Sequence, residues 1–182
     1  MRVGEVYSVV AMALAANFNE ILDVAQFMRI KKSKGWIVQN KTHASKVGGE
    51  FYAKFLKDES SAALCDDFVV LKPKFQASHY FPSAKDDLAK FYKSIKFEPK
   101  ADGIDSVSNQ LLLIAAILKN EANENSQRLL AAFSSAYFLP YANELAKELQ
   151  AQATSNFYKA MGYFLEDFCT ALGAMIGKKQ KS

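Results

Sequence analysis

Hydrophobic positions recur at helical spacing from one end of the chain to the other. Val3, Val6, Val10 and Leu14 repeat along the first segment, and Phe18, Ile21, Leu22, Ala25 and Met28 fall on one helix face. Asn17, with Glu20 three residues later, reads as a capping-box start for that second run. Gly35, Trp36 and Asn40 interrupt the pattern, and Gly48-Gly49 interrupts the next segment before Phe51, Phe55 and Leu56 resume it. A helix is predicted over 60–71, stopping at Pro73. Residues 72–83 are aromatic but irregular, with Phe75, His79, Tyr80, Phe81 and Pro82, and read as a loop. Ser83 with Asp86 then starts a helix that carries Leu88, Phe91, Tyr92 and Ile95.

Glu98, Pro99, Lys100, Ala101, Asp102 and Gly103 form the clearest hinge in the chain. Beyond it Val107, Leu111, Ile114 and Leu118 are spaced as one helix stripe, while Leu112, Leu113, Ala115, Ala116 and Ile117 fill the other faces. A helix apolar nearly all round is buried on most sides. Leu130, Phe133 and Tyr137 continue the pattern until Pro140, and Leu145 and Leu149 carry it on. The last helix shows Phe157, Met161, Phe164, Phe168 and Leu172, followed by Gly173, Gly177 and a lysine-rich end. No stretch alternates at period two and none carries a hairpin turn, so the predicted class is all-α, a bundle of about eight to ten helices. It divides into an N-terminal helical part, 1–98, a hinge, 99–105, and a C-terminal helical part, 106–182, which can pack as one domain.

Composition narrows the chemistry. The chain has 182 residues, 50% of them hydrophobic, with four Pro and eight Gly, which excludes disorder and collagen-like repeats. At this length folding buries roughly 70% of the unfolded surface, so the core needs no disulfide or metal staple. Two His and two Cys are too few for a histidine cage or a zinc ribbon, and no metal or cofactor is expected. Cys65 and Cys169 read as small apolar core residues in a reducing compartment. The net charge of +4 comes mainly from Arg29, Lys31, Lys32 and Lys34, which read as a solvated helix end, where cations favour the negative pole. No basic stripe with interleaved aromatics points to nucleic acid. The apolar stretch from Val6 to Ala16, ending in Ala13-Leu14-Ala15, has the outline of a secretory signal, but Glu5 in its leader and its helical spacing point to a core helix. It is too short to span a bilayer, which takes about 20 apolar residues, and the chain reads as soluble.

Catalytic arrangements are scarce. There is no glycine-rich phosphate loop, neither histidine follows a glutamate at the spacing of a carboxylate-bridged metal centre, and Ser78 merely adjoins His79 with no nucleophile elbow. Asp66-Asp67, Asp86-Asp87 and Glu166-Asp167 each lie on a helix where one or both can point to water. Asp86-Asp87 also complements the helix dipole in a first turn.

One succession of elements goes further. An aromatic loop, a helix with Phe91-Tyr92, an acidic Gly-containing hinge, and Ile104-Asp105-Ser106-Val107-Ser108-Asn109-Gln110-Leu111 opening a buried helix together resemble the TorD/DmsD family of redox-enzyme maturation chaperones. The family's Pro-Asp-His triplet stands here as Ile104-Asp105-Ser106, with Gln110 at the place of its early glutamate, and its Glu-Ser-x-Tyr motif as Ala77-Ser78-His79-Tyr80. The likeness runs over residues 60–175, by order of elements more than by identity. It implies a TorD-like helical fold and a cytoplasmic, non-enzymatic chaperone. Such a protein binds the twin-arginine signal peptide of a molybdopterin oxidoreductase, of the formate dehydrogenase or S-/N-oxide reductase type, and delays export of the apoenzyme until its cofactor is inserted. A receptor for that peptide needs an apolar groove beside acceptors for arginine. Phe75, Ser78, His79, Tyr80, Asp105, Ser106 and Gln110 are the expected peptide site, with the loop lining the groove and Asp105 accepting an arginine. Asp105 read without the family is a helix N-cap. Two other readings stand beside this one: a small helical ligand-binding regulator or enzyme with a pocket between helices, and an oligomeric subunit. The hinge permits domain swapping, so both a monomer and a swapped dimer are compatible.

Overall fold

The computed structural model describes residues 2–120 and 123–179; the end of the lysine-rich tail, 180–182, lies outside the described residues. These contain nine α-helices and no strand: α1 Val3–Asn19, α2 Val24–Lys31, α3 His43–Asp58, α4 Ser61–Leu71, α5 Ala84–Ser94, α6 Val107–Lys119, α7 Glu124–Phe133, α8 Leu139–Gln152 and α9 Asn156–Lys179. The all-α class and the helix number agree with the periodicity. The aromatic stretch predicted as a loop holds two short 3₁₀ turns, Lys72–Phe75 and Ala77–His79.

Short polar side chains start many of the helices, because the first amides of a helix have no partner within it. Thr42, Ser60, Ser106 and Asn123 each accept from the backbone amide three residues on, and Asp23 with Gln26 forms a capping box at α2. The expected start at Asn17 is therefore misplaced. Asn17 is buried inside α1, where its amide reaches Met161 Sδ at 3.4 Å, and the chain breaks only after Asn19.

Gly48-Gly49 does not interrupt α3. A Cβ on Gly48 would stand 2.8 Å from the ring of Phe164, so the glycine is kept for close approach of α3 to α9. Nor does Pro140 end a helix. A π-helical turn, Ser134–Phe138, joins α7 to α8, and Pro140 falls in the first turn of α8. The wide turn accommodates a residue that can neither donate to the preceding turn nor pack tightly against it.

The closest helix pairings are α1 with α6, α3 with α9, and α8 with α9. Segments from both sides of the hinge thus fill one core, built from Leu14 and Phe18 of α1, Phe55 of α3, Ile114 of α6, Leu145 of α8 and Phe157, Phe164 and Phe168 of α9. Two reciprocal hydrogen bonds stitch α1 to α6: Ser8 Oγ donates to the Ala115 carbonyl and Ser108 Oγ to that of Ala15, both at 2.9 Å. The apolar first segment is thus a core helix, and no helix among the described residues is long and apolar enough to cross a membrane.

In two of the acid pairs, one member is exposed or half-buried and the other is structural. Asp67 is buried and accepts from the Ser155 amide at 2.9 Å, from Ser155 Oγ at 2.6 Å and from the Thr154 amide, holding the start of α9. Glu59 accepts from the next amides, of Asn156 and Phe157. Asp167, also buried, accepts from Thr42 Oγ1 and Asn40 Nδ2, tying the entry to α3 onto α9. Both cysteines are free, and burial holds the Cys169 thiol well above its ordinary range.

Candidate functional site

The predicted site depends on how the segment after α5 returns to the body of the protein. Lys96, in the left-handed region (φ 57°), ends α5, and the Phe97 amide bonds back to the Tyr92 carbonyl at 2.9 Å. The hinge then crosses to α6; the Asp102 amide donates to Asn19 Oδ1 at 3.4 Å and the Asp102 carboxylate lies 3.5 Å from Lys72 Nζ, but one side chain makes most of its hydrogen bonds. Asn109 Oδ1 accepts from the amides of Lys100 and Ala101, both at 2.9 Å, and its Nδ2 donates to the carbonyls of Ala101 at 3.0 Å and Gly103 at 2.7 Å. Gly103 (φ +80°) lies against Gln76, where a Cβ would collide with that side chain.

Beyond Gly103 the chain pairs with the aromatic loop. Gln76 and Ser106 form an isolated antiparallel bridge, the Ala77 amide donates to the Asp105 carbonyl at 3.1 Å, and the Ser78 amide donates to Asp105 Oδ2 at 2.7 Å. Gln110 Nε2 also donates to the Asp105 carbonyl, at 3.2 Å. The two motifs recognised in the sequence, Ala77-Ser78-His79-Tyr80 and Ile104-Asp105-Ser106, thus meet in space, with Gln110 behind them.

Their roles differ from those expected. Asp105 is only 2% exposed and its carboxylate is occupied by the Ser78 amide, so in this arrangement it offers no face to an arginine. It is not the N-cap either. Ser106 caps α6, its hydroxyl accepting from the Asn109 amide at 3.2 Å, and Asp105 anchors the aromatic loop instead. Phe75 lines no groove: it is buried among the rings of Phe18, Phe68 and Tyr158. His79 is exposed, edge-on to Tyr80.

Tyr80 is half-buried against Tyr141 and donates to Glu148 Oε2 at 3.2 Å. Lys74 Nζ contacts the same oxygen at 2.6 Å, and Tyr141 Oη donates to the Lys74 carbonyl at 3.0 Å. Burial raises the Glu148 carboxyl, but the hydrogen bond and charge of Lys74 outweigh it and hold the group below its ordinary value. Burial, and then the charge of Glu148, push the Tyr80 phenol well above its ordinary range. Beneath the loop, Tyr92 Oη, Gln76 Oε1 and Gln110 Oε1 are buried without a hydrogen-bond partner among the described residues. Burial, and then the Asp105 charge, raise the Tyr92 phenol likewise.

An open cleft of about 210 Å³ lies on the outer side of this loop, between α5 and the junction of the π turn with α8. Phe81, Leu88, Tyr137 and Pro140 form its apolar walls, and Asp87 supplies a carboxylate. Phe81 is 41% exposed, and Asp87 is half-buried with no ion-pair partner among the described residues. No group of three or more His, Cys, Asp or Glu among those residues is placed to hold a metal.

Sequence reasoning passed over Asn109, Gln76, Glu148 and the cleft at Asp87. A signal existed for Asn109. Ser108-Asn109-Gln110 puts three polar residues in a row on a helix buried on most sides, and such residues find their hydrogen bonds inside the protein. No family model matches the chain, and no curated protein or solved structure matches it either.

Proposed function

We propose that the chain is a cytoplasmic chaperone that binds the twin-arginine signal peptide of a molybdopterin oxidoreductase subunit and retains the apoenzyme until its cofactor is inserted, as the resemblance to the TorD/DmsD family implies. The peptide site is moved outward from Asp105 to the cleft beside the Tyr80 loop. The observation that supports this reading is the half-buried Asp87 carboxylate, without an ion-pair partner among the described residues, set among Phe81, Tyr137 and Pro140. A signal peptide carries an apolar segment next to two arginines. The apolar segment lies on the aromatic wall, and a guanidinium forms a two-pronged hydrogen bond with the carboxylate, the geometry in which arginine binds most strongly. Asp86, exposed in the same first turn of α5, takes the second arginine.

Calorimetric titration with signal peptides from the molybdoenzymes of the same genome tests this. Binding at micromolar concentration is expected, weakened about tenfold or more when the arginine pair is replaced or when Asp87 is changed to Asn. Absence of heat at these concentrations, or equal binding of the arginine-free peptide, would falsify the proposal.

A further inference from the structure

A second concavity, on other helices, has the opposite charge. From Val24 to Gly49 the chain carries Arg29, Lys31, Lys32, Lys34, Lys41 and Lys46 and neither Asp nor Glu. Lys31 is engaged within the protein, donating to the carbonyls of Phe55 at 2.6 Å and Glu59 at 3.1 Å and lying over the Phe27 and Phe55 rings. Arg29 is not: it is exposed, has no ion-pair partner among the described residues, and lines a groove of about 370 Å³ between α1, α2 and the segment after α2.

The rest of the groove is mainly apolar. Ala13 and Ala16 leave room along α1, and Leu22, Ile30, Trp36 and Ile37 form the walls. Trp36 is fixed, stacked on Phe164 at 4.5 Å and 6° and edge-on to Tyr52, so that wall exists before any ligand arrives. The acids nearest in sequence, Glu20 and Asp23, precede α2, and Asp23 is occupied in capping it, whereas Arg29 stands in its last turn. A preformed apolar trough with a single charged group at its rim is the usual form of a small-ligand site.

From this juxtaposition of an unpaired guanidinium and an apolar trough we propose that the groove binds a medium-chain fatty acid, its aliphatic tail along Ala13, Ala16, Leu22 and Ile30 and its carboxylate on Arg29. The site is separate from the Asp87 cleft and independent of the peptide-binding reading. Its cationic rim repels the arginine pair that the Asp87 cleft attracts.

Trp36 is the only tryptophan in the chain, so its emission reports entry into the groove directly. The full chain is titrated with dodecanoate below the concentration at which it forms micelles, with dodecylammonium of equal tail as control. A saturable one-site change is expected with the carboxylate and at least about tenfold weaker binding of the ammonium. Arg29→Ala weakens dodecanoate binding about tenfold, and Ala16→Leu, an exposed position at which folding is preserved, blocks it by filling the trough. Asp87→Asn leaves it unchanged while losing the signal peptide, so the two sites fail separately. Non-saturable quenching, equal binding of the two amphiphiles, or an unaltered Arg29→Ala overturns the proposal. A response to phosphatidylglycerol vesicles without a response to monomeric dodecanoate also overturns it and makes the surface a membrane dock.

Discussion

Glu148 holds two partners at once, the Lys74 ammonium and the Tyr80 hydroxyl, and through them positions the loop that borders the candidate peptide cleft. Its carboxyl is held below the ordinary 4.5 in the folded protein, so the unfolded chain takes up the proton more readily. The stability it contributes is therefore complete above that value and disappears as pH falls through the folded one. Thermal melts of the parent and Glu148→Gln should differ at pH 7 and converge as pH drops below about 4. A gap that persists undiminished at pH 3 would place the effect of the variant in packing rather than in charge. Because Lys74 and Glu148 are both partly shielded from water, the pair is worth more than an exposed one of the same length, though still modest.

At the level of elements, the hinge is a segment fastened to α6 chiefly by one amide side chain. Asn109 is fully buried and satisfies four backbone groups of residues 100–103, so Asn109→Ala strands its partners and frees the crossing. A loss of about 2 kcal/mol is expected, allowing for amides that recover water, which lowers the melting temperature by roughly 4–8 °C in a chain of this size. Hydrogen exchange should rise at Lys100 and Ala101 specifically; unchanged protection there would mean that another contact holds the loop. How far these elements could be read from the chain follows the same division. Apolar spacing at 3.6 residues located the helices, since that pattern is local. Boundaries were misread wherever a distant contact decided them: Asn17 is claimed by Met161, Gly48 by Phe164, and Pro140 is accommodated by the π turn before it. Likewise the grouping of Ser78 with Asp105 is legible through the resemblance in the order of motifs, but the burial of Asp105 is not. That burial is set by an amide 27 residues away.

Across the whole molecule the two sides of the hinge share a single core, because α1 lies on α6 and α3 on α9. Trp36 stacks on Phe164 of α9 and so reports the union of an early segment with the last helix. In urea, Trp36 emission and far-ultraviolet circular dichroism should therefore trace one coincident transition. A fluorescence change that precedes the loss of helix would show that the part before the hinge opens on its own. The pairing of early with late helices also governs how the chain comes into being. Tyr158 Oη donates to the Asn17 carbonyl across 141 residues, and Phe157 and Phe164, which cover the rings of α3, are made about a hundred residues after it. A ribosome releases α1 and α3 with their apolar faces bare; that of α1 is covered when α6 emerges, and that of α3 stays bare until α9 does. Closure of the core consequently waits for α9, and until then the face of α3 is exposed to non-native association.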